Sequence, residues 1–359
     1  MELIVQPTDG VTPLIKAIDA ARKSIEIAIF RFDRKDLQQA LERAVGRGVV
    51  VHALIASTNH GGEKDLRKLE SDFLKAGIAV GRTDSDLLRY HYKFMLVDRE
   101  ILYLLTFNYT HLDIAARSFG IITRNPGLVR EAIRLFGADL KRQSYTPEVD
   151  HFVVSPINAR QQLSGFIDGA KEQLLIYDPE ISDRRMIHML RKRAEAGVEI
   201  RIVGTVKKSP SAPGASGLLR MRFHTRTIIR DREWAFMGSQ SLREAELDRR
   251  RELGLIIHNA DIVHSLAKIF ESDWATLKPR SKEHLEKKRP GKQARERARA
   301  IVREMPLRPL VEKALKRALN EIPCPDPKCE VSIEENFRQA LEDSVSRLVK
   351  ESAKPEARR

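Results

Sequence analysis

The sequence predicts an α/β protein built from two copies of one unit, and three observations carry the prediction. The segment from Val5 to Ile55 lies without a gap on the segment that begins at Val154, with Pro7 falling on Pro156 at an offset of about 149 positions. Within each copy, apolar and β-branched runs alternate with helical stretches, the rhythm of strand–helix–strand units. Further along each copy, a histidine, a basic residue and an aspartate recur at one spacing.

The elements of the two copies correspond in order. A helix, the apolar run Ile25-Glu26-Ile27-Ala28-Ile29-Phe30, a second helix and the run Val49-Val50-Val51 make up the first. In the second, Leu174-Leu175-Ile176-Tyr177 and Val198-Glu199-Ile200-Arg201-Ile202-Val203 take the strand positions. Ile18-Asp19 falls on Ile167-Asp168, Ala21-Arg22 on Ala170-Lys171, and Gly48-Val49 on Gly197-Val198. Gly48 and Gly197 stand where the second helix should stop, the place of a left-handed C′ glycine. Between the next strand and the histidine motif, the first copy holds a helical stretch around Glu63 to Ala76. The second holds Lys207 to Gly217, rich in Pro, Ser and Gly, which predicts a loop and a candidate lid over a cleft.

The chemistry-bearing stretches are His91-Tyr92-Lys93-Phe94-Met95-Leu96-Val97-Asp98 and His224-Thr225-Arg226-Thr227-Ile228-Ile229-Arg230-Asp231. On a strand of period two, histidine and base share a face, so both reach one phosphate. Turns at Asp98-Arg99-Glu100 and Asp231-Arg232-Glu233 lead into strands ending Leu105-Thr106-Phe107-Asn108 and Gly238-Ser239-Gln240-Ser241, and Arg117 to Ile122 then lies on Arg251 to Ile256. An aspartate at a strand end reads first as a turn former, which weighs against a chemical role for Asp98 and Asp231.

These paired motifs resemble the phospholipase D superfamily, whose signature is His-x-Lys-x4-Asp followed by Gly-Ser-x-Asn, and the resemblance spans about Val5 to Trp274. It implies two duplicated phospholipase D-like α/β domains around a shared active site, over residues 1–146 and 147–278. It further implies that one histidine, assigned here to His91, forms a phosphohistidine while the other, His224, serves as acid and then base. His91, Lys93, Asp98, His224, Arg226, Asp231 and Glu252 are then the expected catalytic set, with Thr106, Asn108, Ser239 and Ser241 binding phosphate oxygens, and no metal or cofactor. The first copy departs from the pattern in Leu105-Thr106 for Gly-Ser, the second in Arg226 for lysine. Family members use a downstream carboxylate to orient each imidazole. By position in the repeat, Glu252 would serve His224, whereas Ser118 stands at the matching place in the first copy, so His224 is expected to be the better oriented.

Composition bounds the rest. At 359 residues and 42% hydrophobic, the chain can bury two cores, and its net charge of +14 points to a polyanionic partner, either nucleic acid or an anionic lipid surface. No apolar stretch is long enough to span a membrane and the N-terminus lacks signal-peptide features, so a cytoplasmic protein with peripheral membrane contact is expected. Two cysteines, Cys324 and Cys329, are too few for a disulfide framework and fit a reducing compartment. From residue 279 onward a basic linker leads to a basic amphipathic helix (Leu307 to Ile322) and a more acidic one after Ser332, an extension suited to anionic membrane, nucleic acid or packing on the body. Three functions follow: a phospholipid hydrolase or phosphatidyl transferase, a nuclease of the same superfamily, or a nucleic-acid-binding module on a catalytically dead scaffold. Aromatics at 6% leave little base-stacking surface.

Overall fold

The computed structural model describes residues 1–57, 63–207, 215–217 and 221–277. The basic extension, its two expected helices and both cysteines lie outside the described residues, as does most of the expected lid. Residues 1–279 form one compact unit.

The first copy runs β1 (Glu2–Gln6), α1 (Thr12–Ala20), β2 (Ser24–Ile29), α2 (Lys35–Gly46), β3 (Val50–Ile55), α3 (Glu63–Lys75), β4 (Ala79–Arg82), β5 (Arg89–Tyr90), β6 (Phe94–Val97), β7 (Ile101–Leu105), α4 (His111–Ile114), β8 (Ser118–Thr123) and α5 (Pro126–Lys141). The second runs β9 (Phe152–Ser155), α6 (Ala159–Asp168), β10 (Gln173–Ile181), α7 (Arg184–Glu195), β11 (Glu199–Val206), β12 (Ala215–Gly217), β13 (Arg226–Arg230), β14 (Trp234–Gly238), α8 (Glu244–Asp248), β15 (Arg250–Ile257) and α9 (Ala260–Ala275). Ala215–Gly217 was expected to be loop. It pairs in parallel with β11 instead, the counterpart of β4 beside β3.

Among the described residues the strands form two sheets of one design. The first is ordered β1-β8-β7-β6-β2-β3-β4, the second β12-β11-β10-β13-β14-β15-β5, in which β9 is also added to β15 as β1 is to β8 and β5 crosses over from the first copy. Gln6 pairs with Ser118 and Ser155 with Glu252, so the register places Ser118 and Glu252 at one position of the repeat. Gly48 and Gly197 adopt φ of +85° and +91°, the left-handed stops expected from the sequence.

Each copy buries one sheet face under its own helices. Leu37, Ala40, Leu41 and Ala44 of α2 recur at helical spacing and pack with β2 and β3, as Met186, Ile187 and Leu190 of α7 pack with β10 and β11. The opposite faces share a third core, in which Phe94, Phe119 and Phe136 join Tyr177, Met237 and Phe270. Each such side chain stabilises the joint by about 1.5–3 kcal/mol on burial. Two ion pairs flank it symmetrically: Arg117 Nε donates to Asp273 Oδ2 (2.8 Å), and Arg251 Nη2 lies 3.1 Å from Asp139 Oδ1. The two motif strands are thereby held face to face.

Candidate active site

Each histidine stands just ahead of a central strand of its own copy, and the other copy holds it in place. The His91 amide donates to the Arg251 carbonyl (2.8 Å) and the His224 amide to the Arg117 carbonyl (2.9 Å). The imidazole centroids are 6.5 Å apart, so one phosphorus fits between them. Phe30 packs edge-on against His91 at 4.5 Å.

The ring nitrogens are held differently. His91 Nδ1 donates to Glu252 Oε2 at 2.9 Å, while His224 Nδ1 donates to the Thr106 carbonyl at 2.7 Å. In both rings Nδ1 carries the proton and Nε2 is left for chemistry. The expected pairing of Glu252 with His224 is therefore overturned. Strand register carries position 252 across the joint onto the histidine of the opposite copy, so Nδ1 of His91 meets a carboxylate and Nδ1 of His224 a carbonyl. Ser118, at the matching place, donates weakly to the Ala116 and Asp113 carbonyls instead (3.3 and 3.4 Å).

Lys93 is fully buried, with Nζ 3.0 Å from His91 Nε2 and 5.3 Å from the centre of the Phe30 ring. Burial pushes its pKa down to about 7, against the pull of Glu252. Arg226 Nε donates to Ser241 Oγ (3.2 Å) and Nη1 to the His224 carbonyl (2.9 Å). Burial holds both histidines well below their usual range, helped at His91 by Lys93 and at His224 by Arg226. Neutral imidazoles among cations are suited to an anion.

Two acids that the sequence reading missed complete the site. Asp113 Oδ2 accepts from the Asn108 side chain (2.5 Å) and lies 3.7 Å from His224 Nε2, and its Oδ1 accepts from Arg222 (2.5 Å). Burial opposes ionisation of Asp113, but His224, Asn108 and Arg222 together hold it below the usual carboxylate range. Glu246 is its counterpart, accepting from the Ser241 amide (2.7 Å) and from Arg250 (3.0 Å). The signal was present, since an acid stands five residues after Asn108 and five after Ser241.

Other expected site residues bond to the backbone around them. Asp98 and Asp231, at the far ends of their strands, adopt φ of +55° and +53°. Each accepts three consecutive backbone amides, Arg22 to Ser24 and Lys171 to Gln173 respectively, at 2.7–3.2 Å. A carboxylate that tolerates the left-handed region and ties the turn to a neighbouring loop explains the aspartate there. Asp98 lines a groove of about 920 Å³ at that far end, away from both histidines. Thr106 and Ser239, expected to bind phosphate, each bridge a strand pair through the backbone of Phe119 and Leu253. Asn108 and Ser241 do reach the site, through Asp113 and Arg226.

The fold and the site together define a duplicated α/β body with two facing histidine motifs. The family model described as cardiolipin synthase, phospholipase D-like domain, matches twice, at residues 14–140 and 163–274, and the chain belongs to the phospholipase D superfamily. It is 30% identical over 133 residues to mitochondrial cardiolipin hydrolase of Mus musculus, an alignment covering 36% of this chain and 55% of that protein. The chain thus spans about half the length of that relative. In fold it resembles polyphosphate kinase of Porphyromonas gingivalis (TM-score 0.64, 19% identity, 76% of this chain and 50% of that one). It also resembles phosphatidylserine synthase of Haemophilus influenzae (TM-score 0.62, 10% identity, 77% and 86%). Among the described residues no helix is long and apolar enough to cross a membrane.

Proposed function

We propose that the chain cleaves a phospholipid phosphodiester in two displacements through a phosphohistidine on His91. The observation that carries the reading is the Glu252–His91 hydrogen bond, which favours the tautomer that leaves Nε2 unprotonated, beside Lys93 and in a ring whose centre is 6.5 Å from that of His224. The carboxylate supports the positive charge that grows on the ring as Nε2 bonds to phosphorus. In the substrate complex His224 takes up a proton from solvent at Nε2, favoured by Asp113 and by the negative charge of the diester. As the P–N bond forms, the P–O bond to the leaving group breaks and its oxygen takes that proton, which returns His224 to the neutral form. His224 then removes a proton from water or an alcohol, the incoming oxygen bonds to phosphorus, and the P–N bond breaks. Lys93 and Arg226 neutralise the non-bridging oxygens.

Two features suit this division of labour. Neutral His91 is the attacking form, and Asp113, 3.7 Å from His224 Nε2, favours the proton that His224 must donate. Lipid as substrate draws on the likeness to cardiolipin synthases, to cardiolipin hydrolase and to phosphatidylserine synthase. A nuclease is the competing reading, drawn from the charge of +14.

The test is turnover by wild type and His91→Ala on phosphatidylglycerol vesicles and on single- and double-stranded DNA, with chelator present. The expected result is lipid cleavage that requires His91 and survives chelator. Activity confined to DNA would overturn the lipid assignment, and abolition by chelator the metal-independent mechanism.

A further inference from the structure

The two copies are not equivalent in how they neutralise their arginines. Arg222 stands two residues before His224 and Arg89 two before His91. Arg222 Nη1 donates to Asp113 Oδ1 at 2.5 Å, a charge-assisted pair that gives this arginine a carboxylate of its own. The corresponding acid for Arg89 is Glu246, and Arg250 has taken it, at 3.0 Å. The counterpart of Arg250 in the first copy is Ala116, so no second arginine competes with Arg222 for Asp113 there.

Arg89 consequently has no carboxylate within ion-pair distance among the described residues. It lies directly across from Arg250, its partner in the β5–β15 pairing, and like charges set opposite one another on adjacent strands are destabilising. Its guanidinium rests 5.3 Å from the centre of the Phe30 ring, the ring that packs against His91 and lies beneath Lys93. Burial lowers its pKa, and Arg250 and Arg31 lower it further against the opposing pull of Glu252 and Glu246, neither of which comes close enough to pair with it.

We infer that Arg89 is a second anion subsite, taking a further phosphate of a substrate that presents two of them. Bound there, that phosphate relieves the Arg89–Arg250 repulsion and holds the scissile group beside His91. The pairing of Arg222 with Asp113 removes the equivalent subsite on the other side, so a two-phosphate substrate enters in one orientation, with its leaving group toward His224. The inference rests on the reading of the histidine pair as a phosphodiester site and names the class of substrate that site prefers.

Calorimetric titration of the full chain with inorganic phosphate and with pyrophosphate tests it. Pyrophosphate is expected to bind at least about tenfold more tightly than phosphate, and Arg89→Ala to abolish most of that ratio, consistent with loss of a charge-assisted contact. Arg89→Lys should recover part of it, which a folding defect would not. An unchanged ratio in Arg89→Ala, with phosphate still bound and weakened by Lys93→Met, would overturn the second subsite and leave the phosphodiester site standing. Failure of phosphate to bind wild type would overturn both.

Discussion

Glu252 and His91 are 161 residues apart in sequence and 2.9 Å apart across the joint between the copies, so each half of the duplication is incomplete without the other. The glutamate does not touch the reacting atoms and acts through the ring. Glu252→Gln should lower kcat by about 10–100-fold with KM little changed, the range seen when a partner that orients an imidazole is lost. The check is a full kinetic profile with phosphohistidine trapping, since a structural defect would lower active protein without lowering the rate per labelled site.

Lys93, with a pKa near 7, sets a pH dependence of binding. A bound phosphate favours the ammonium and raises that pKa, so the complex takes up a proton wherever free lysine is neutral. Phosphate affinity should weaken as pH rises above about 7, with proton uptake visible as buffer-dependent heat. The stability sign is opposite to that of a partnered lysine. The folded pKa lies below the unfolded one, so the folded state holds fewer protons between them and stability rises with pH over that window. Lys93→Met should abolish the proton uptake and raise the melting temperature most at pH 7 and below.

Much of this was legible in sequence because the duplication wrote each element twice. His91, Lys93, His224 and Arg226 follow from period-two alternation, and Gly48 and Gly197 from helix stops. Which carboxylate meets which histidine was not legible. Glu252 belongs to the second copy by position, and only the folded joint shows that the adjacent Arg251 carbonyl holds the His91 amide. Thr106 and Ser239 were ambiguous for another reason. A hydroxyl in a phosphate-binding signature also suits bridging two strands, and spacing does not separate the two uses.

Asp98 and Asp231 should act on stability alone. Replacing either by alanine removes an acceptor for three amides and places alanine at positive φ, a loss of about 1–3 kcal/mol by the strength of hydrogen bonds to a charged group. Asparagine, which keeps an acceptor oxygen and tolerates that backbone, should cost less. Amide donors lower both carboxyl pKa values despite partial burial, so their stabilisation is present at neutral pH and lost as acid protonates them. Thermal melts between pH 3 and 7 check this, and a fall in kcat of the folded variants would contradict it.

Asp113 separates the two histidines functionally. Its carboxylate favours the protonated form of His224, against the burial and Arg226 that disfavour it. If His224 is the proton donor, Asp113→Asn should lower its pKa and move the alkaline limb of kcat to lower pH, by about one unit or more for an opposite charge at this range. Asparagine keeps the contact with Asn108 near its present geometry, so loss of charge is the main change. The acidic limb, where protonation of His91 removes the nucleophile, should move little, because Asp113 is not among the chief influences on His91. A shift of the acidic limb instead would exchange the roles, making His224 the nucleophile and His91 the acid held by Glu252. The pH profile of this one variant thus decides the direction in which the diester is cleaved.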